Sequence, residues 1–195
     1  MKQISRLTFV LAFGLLALGG TSLAEAQARD FGVSRGRATF RSVASLETIN
    51  GVSNSLTGSI SLNPANLAAT RGTLTVPISS IRTGIDLRDE HLRGSDWLDA
   101  AAHPNATFEI TGVEGATSMT ANQEAQFTLI GRFTLHGQTK NVLARVRARW
   151  DGSGGIRGRA TFSIQLSDYN VTINRLVQEK VSNTIAITID VRAAA

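Results

Sequence analysis

Between Gln126 and Trp150 apolar and polar residues alternate almost one for one through two consecutive runs. Phe127, Leu129, Gly131, Phe133 and Leu135 share one face, opposite Gln126, Thr128, Arg132 and Thr134. After a turn at His136-Gly137-Gln138, Val142, Ala144, Val146, Ala148 and Trp150 alternate with Arg145, Arg147 and Arg149. A repeat of two sends successive side chains to opposite faces of a strand, whereas a helix would scatter the same residues around its axis. Each run is apolar on one side only, which is the pattern of an antiparallel sheet with one buried face. Such a hairpin cannot stand alone in water, so the rest of the chain must cover it.

The same rhythm recurs on both sides. Asp30 to Ser42 reads as a first strand with Ala38 and Phe40 on one face, and Ser45 to Val52 as a second. Leu56, Gly58, Ile60 and Leu62 alternate with small polar residues and stop at Asn63-Pro64; Gly72, Leu74, Val76 and Ile78 repeat the pattern. Phe108 and Ile110 oppose Thr107, Glu109 and Thr111. Downstream of Asp151-Gly152-Ser153-Gly154-Gly155, a turn by composition, Ile156 to Leu166 and Val181 to Val191 give the last two strands. Eight or nine short strands with no alternating helices imply an all-β fold, an antiparallel sandwich or barrel in a single domain. Small inward residues (Gly58, Gly131, Ala144, Gly158) mix with Phe127, Phe133, Trp150 and Phe162. A barrel of about eight strands uses such a mixture either to leave a cavity or to fit bulky neighbours into a filled core, and the sequence leaves both open.

The interruption lies between Ile81 and Pro104. Asp86, Asp89 and Glu90 precede His91 and Arg93 in a run stopped by Gly94, the charge order a helix dipole favours. Ser95 is expected to cap a second short helix, Asp96 to Ala102, ending before His103-Pro104. Leu87, Leu92, Trp97 and Leu98 are the expected contacts of these helices with the barrel, closing or shaping one end of it.

Residues 1–26 read as a cleaved secretory signal peptide: Lys2 and Arg6, then the apolar run Leu7 to Leu18, then Ala24 and Ala26. The remaining domain, 27–195, is therefore expected to be periplasmic or secreted. The chain has no cysteine, which excludes disulfides and a thiol-linked lipid anchor. The formal charge of +5 is carried mostly by dispersed arginines, which fits no nucleic-acid motif. If the Asp151–Gly155 turn sets Trp150 opposite Ile156, Arg149 faces Arg157 and Arg147 faces Arg159. With Arg145 these form a basic outer face suited to weak contact with an anionic membrane, or simply a solvated one.

The chemistry of turnover is not evident. The acids and histidines of the interruption match no zinc spacing, and no Gly-x-Ser-x-Gly or phosphate loop occurs, so no metal, cofactor or catalytic residue is nominated.

At Arg82-Thr83-Gly84, Arg88-Asp89-Glu90-His91-Leu92-Arg93-Gly94, Trp97-Leu98-Asp99, His103-Pro104-Asn105-Ala106-Thr107-Phe108 and Leu135-His136-Gly137-Gln138-Thr139-Lys140, the chain resembles the YceI-like family of secreted bacterial polyisoprenoid-binding proteins. The resemblance implies an extended, lipocalin-like antiparallel barrel holding an isoprenoid or similar lipid, without catalysis. Two places differ from the usual family pattern: Arg35-Gly36 stands where a His-Ser pair is common, and Asp168-Tyr169-Asn170 where Asp-Phe-Gly is. Strand facing nominates Phe40, Leu74, Val76, Phe108, Ile110, Phe127, Leu129, Phe133, Val146, Trp150, Phe162, Ile164, Ile185 and Ile187 as the apolar interior that meets the ligand. The alternatives are a lipid-modifying enzyme using His91 and nearby acids, and a filled barrel acting as a structural or interaction module.

Overall fold

The computed structural model describes residues 28–195, so the expected leader lies outside the described residues. Nine strands follow one another: β1 (Arg29–Val43), β2 (Thr48–Ser53), β3 (Thr57–Leu62), β4 (Arg71–Pro77), β5 (Asn105–Glu114), β6 (Glu124–Leu135), β7 (Gln138–Trp150), β8 (Gly155–Gln165) and β9 (Thr184–Ala194). Every neighbour is antiparallel, and β1 closes the ring by pairing with β9 from Gly32↔Ala194 to Ser42↔Ile185.

The other edge of β1 is shared. Its beginning pairs with β3 (Phe31↔Ile60) and its end with β2 (Phe40↔Gly51). β2 and β3 thus occupy one place in the ring, and the barrel is closed with eight strand positions. β3 continues into β4, whereas β2 touches the β4–β5 connection at a single bridge, Val52↔Arg82. Beside that open edge lies α1 (Asp86–Arg93), the one α-helix among the described residues.

The expected second helix does not form. Residues 95–98 and 100–102 are turns, and Asp99 takes a left-handed backbone (φ 43). The amides of Leu98, Asp99 and Ala100 turn back to the carbonyls of Leu92, Gly94 and Arg93. They satisfy the end of α1, whose last carbonyls have no partner within the helix, and this wrapping prevents a new helix from starting.

The hairpin register is as the turn composition implies: Trp150↔Ile156, Arg149↔Arg157 and Arg147↔Arg159. One carboxylate holds that turn. Asp151 Oδ1 accepts the amides of Ser153, Gly154 and Gly155 at 2.8–3.1 Å. The Gly155 amide, followed by that of Ser153, lowers its pKa to about 2.

The interior is not uniform along the axis. At the end bearing the β7–β8 turn it is filled: Phe31, Leu67, Met119, Ile110, Leu129, Val146 and Ile156 are buried together. The loops at 63–70 and 115–123 seal that end, tied by Leu67 N to Thr117 O (2.9 Å) and Met119 N to Pro64 O (2.7 Å). At the α1 end the barrel is hollow.

Candidate functional site

The hollow end encloses a cavity of about 760 Å³. Its wall is built from the ends of β1, β2, β4, β5, β6, β8 and β9, and its floor from a cluster of rings. Phe108 and Phe133 face the cavity, and Phe162 packs beneath both with centroid separations of 5.4 and 5.3 Å. Small residues make the space. Phe40 lies flat over Gly51 on the neighbouring strand, where a Cβ would overlap its ring, and Ala38 and Ala106 also face inward.

Eight of the nominated interior residues line this cavity: Phe40, Leu74, Val76, Phe108, Phe133, Ile164, Ile185 and Ile187. Ile110, Phe127, Leu129 and Val146 are buried in the filled half, Phe162 forms the floor, and Trp150 sits half-buried at the sealed end. Leu87, Leu92, Trp97 and Leu98 all border the cavity. Leu98 is buried and Leu92 and Trp97 are partly so, but Leu87 is 61% exposed, so it edges the opening rather than packing on the barrel. Sequence reading missed the contribution of loops. Ile81 and Ile85 before α1, and Leu176 and Val177 before β9, line the space without any strand periodicity to mark them, beside Ile78 and Val181, which the strand pattern does mark.

The position of α1 is fixed by its own preceding turn. Asp89, the one buried residue of the helix, accepts the Thr83 amide (2.7 Å) and the Thr83 hydroxyl (2.6 Å) on Oδ1. Arg88 donates from Nε to Thr83 Oγ1 (2.9 Å) and from Nη2 to Thr83 O (3.1 Å), and reaches Glu47 Oε1 at 2.6 Å. Gly84, at φ +85, lets the chain reverse between them. Burial by itself would raise the Asp89 pKa; the Thr83 hydrogen bonds, with the charges of Arg82 and Arg93, hold it below the usual carboxylate range. Asp89 is thus held as a structural anchor. His91 lies exposed at the cavity edge, and among the described residues no hydrogen bond or ion pair joins it to a carboxylate.

The opening is apolar. Ile85 (52% exposed), Leu87 and Leu176 (88%) line the cavity and face solvent at once. Leu46, also exposed, is tied to the same region through its amide to Glu179 O (2.9 Å). Glu47, Arg88, Asp96 and Lys180 are the charged groups around this rim.

A YceI-like domain profile matches residues 23–193. The chain belongs to the YceI-like family. Among its relatives, a UPF0312 protein of Vibrio cholerae serotype O1 is 31% identical over 130 residues, covering 64% of this chain and 66% of that protein. A UPF0312 protein of Yersinia pestis is 34% identical over 124 residues, covering 61% of each. The matched stretches thus span just under two thirds of these relatives. Among solved structures, Burkholderia cenocepacia BcnA superposes with a TM-score of 0.69 at 19% identity, over 80% of this chain and 95% of that one. A polyisoprenoid binding domain from Saccharophagus degradans gives 0.69 at 16% identity, over 85% and 98%. At these identities the likeness is one of fold, and the YceI-like barrel is the fold shared.

The basic face sits elsewhere. Arg149, Arg157, Arg192 and Arg35 stand side by side on β7, β8, β9 and β1, and Arg147, Arg159, Asp190 and Arg37 form the next row. Arg159 donates from Nε to Asp190 Oδ1 (2.6 Å), which raises its pKa; Arg157 lies between two arginines. This face surrounds the filled half, away from the cavity opening.

Proposed function

We propose that this protein is a periplasmic or secreted, non-catalytic carrier that holds an isoprenoid or similarly long apolar chain in the cavity at the α1 end of the barrel. The observation that carries this reading is the cavity itself: about 760 Å³, walled by aliphatic and aromatic side chains and opening through exposed Ile85, Leu87 and Leu176. Each methylene removed from water contributes roughly 0.8 kcal/mol, so a long chain binds there without any polar chemistry. The Saccharophagus degradans structure, a polyisoprenoid binding domain, supports the choice of ligand class. The polar end of the lipid rests at the rim, where Arg88, Asp96 and Lys180 border the opening.

Native mass spectrometry of the protein purified from a bacterial host tests the reading. A co-purified lipid mass, or uptake of added prenyl alcohols or quinones at one per chain, is expected. A clean apo mass with no uptake of either would overturn it.

The arginine rows offer a second, weaker contact with an anionic bilayer, made by the outer wall rather than by the opening. Binding to anionic vesicles at low salt should fall when Arg147 and Arg159 are both changed to Gln. Unchanged binding removes the wall from the membrane contact.

A further inference from the structure

Asp99 and His103 lie four residues apart in the turn after α1 and His136 lies in the β6–β7 turn, yet their ligand-capable atoms all lie within 4.8 Å of one another. We propose that they form a binding site for a divalent transition metal of the zinc type, fastening the 94–104 turn to the β6–β7 turn.

The geometry is that of groups gathered around a common point without being bonded to each other. The two imidazoles meet edge to face at 5.1 Å between centroids. Among the described residues no hydrogen bond or ion pair joins Asp99 to either ring; its Oδ1 accepts only the Ala102 amide, at 3.3 Å. Ligands on a tetrahedral zinc with bonds of about 2.1 Å stand roughly 3.4 Å apart, so a contraction of up to about 1.4 Å from the 4.8 Å spread completes the site.

The second observation concerns the tautomer. His136 Nδ1 lies 2.9 Å from the carbonyl oxygen of Tyr169. A carbonyl can only accept, so Nδ1 carries the proton and Nε2 of the neutral ring keeps its lone pair. This is the outer-sphere arrangement that orients a metal-bound histidine. The backbone is shaped to the same end. Asp99 and His136 both adopt left-handed conformations (φ 43 and 48), and a Cβ at Gly137 would fall 2.7 Å from His103 Cε1, so that only glycine lets the rings meet.

Three protein ligands leave a fourth position for water. The ligand set, two imidazoles and one carboxylate with no thiolate, suits zinc and its borderline neighbours rather than calcium or magnesium. None of the three side chains lines the cavity; the residues beside them, Leu98 and Leu135, do. The metal therefore acts on the cavity wall from outside, as a fastener.

Untagged full-length protein, stripped with chelator, should bind one equivalent of Zn²⁺ by calorimetry. It should show visible ligand-field absorption with Co²⁺ and melt at a higher temperature with Zn²⁺. Asp99→Asn keeps a residue that tolerates the left-handed backbone, and His103→Gln keeps the fold of its loop. Each should weaken Zn²⁺ binding by more than the roughly 10–100-fold typical of outer-sphere changes. His91→Ala removes the remaining histidine of the chain and should leave Zn²⁺ binding unchanged. No stoichiometric binding by the folded wild type, binding undiminished in both ligand variants, or binding lost in His91→Ala would each overturn the proposal.

Discussion

Ala106→Phe is the sharpest test of which half of the barrel would hold the proposed ligand. Ala106 lies on β5, opposite Val76, with its methyl group facing the cavity above Phe108. Phenylalanine adds a ring of about six carbons to that space. If each chain carbon displaced forfeits roughly 0.8 kcal/mol, the loss approaches about 5 kcal/mol for a ligand that fills the cavity. That corresponds to a dissociation constant raised by more than about a thousandfold. A shorter chain that leaves the ring's volume unused should lose little. A graded series of prenyl alcohols, titrated by calorimetry or by displacement of a fluorescent lipid, therefore separates the variant from wild type increasingly with length. Leu129→Ala is the companion. Leu129 is buried in the filled half, so its truncation should cost about 2–5 kcal/mol in urea unfolding and leave the affinity of still-folded protein unchanged. If long chains bind Ala106→Phe with wild-type affinity, or if Leu129→Ala loses binding while folded, the division into a packed half and a ligand half is wrong.

Four further outcomes follow from the polar groups. Tyr169 is the single tyrosine of the chain, and burial, followed by the charge of Asp168, raises its pKa to about 12. Its neutral form is favoured in the fold, so its contribution is intact below the unfolded value near 10 and lost as pH rises toward 12; phenolate absorbance and unfolding should move together over that interval. Thr83→Val removes the hydroxyl shared by Asp89 and Arg88 and should cost about 1–3 kcal/mol, read as faster hydrogen exchange across α1. Because the Asp89 carboxyl is held below its usual range, the anchor it makes is present above the unfolded carboxylate pKa of about 3.9 and is lost as pH falls through the lowered value; α1 should loosen in acid before β6 and β7 do. Arg157→Gln relieves like charges from Arg149 and Arg192 and should stabilise the barrel by a few tenths to about 1 kcal/mol at low ionic strength, a gain that shrinks with added salt.

Much of the barrel is legible in the sequence because the repeat of two leaves little choice. Once Asp151–Gly155 is read as a turn, the pairing of Arg147 with Arg159 follows from counting. The residues that point inward are legible for the same reason. The height at which they point is not, and height decides between cavity and packed core. Phe133 and Leu129 stand on the same face of β6, yet Phe133 lines the cavity and Leu129 is enclosed in the filled half. The turn after α1 departs from its local composition, which favours a cap at Ser95, because the unpaired carbonyls of α1 compete for the same amides. The meeting of Asp99, His103 and His136 has no local signal at all, since it exists only when the barrel brings the β6–β7 turn against the 94–104 turn.

The single bridge between β2 and the β4–β5 connection has a kinetic consequence. Elsewhere the ring is sewn by continuous ladders, and parting any two strands means losing many hydrogen bonds together. At this seam the backbone pair between Val52 and Arg82, at 2.8 and 2.9 Å, is joined by just two side-chain contacts among the described residues, Ser53 Oγ with Ser80 Oγ (2.7 Å) and Arg88 with Glu47 (2.6 Å). For the proposed carrier, a guest wider than the resting opening could thus pass by breaking these few bonds while the other seams stay shut. If the protein carries a lipid as proposed, rates of loading and release are set at one place and global stability at another, so substitutions around Val52 and Arg82 would change the residence time of the guest without changing how well the barrel folds.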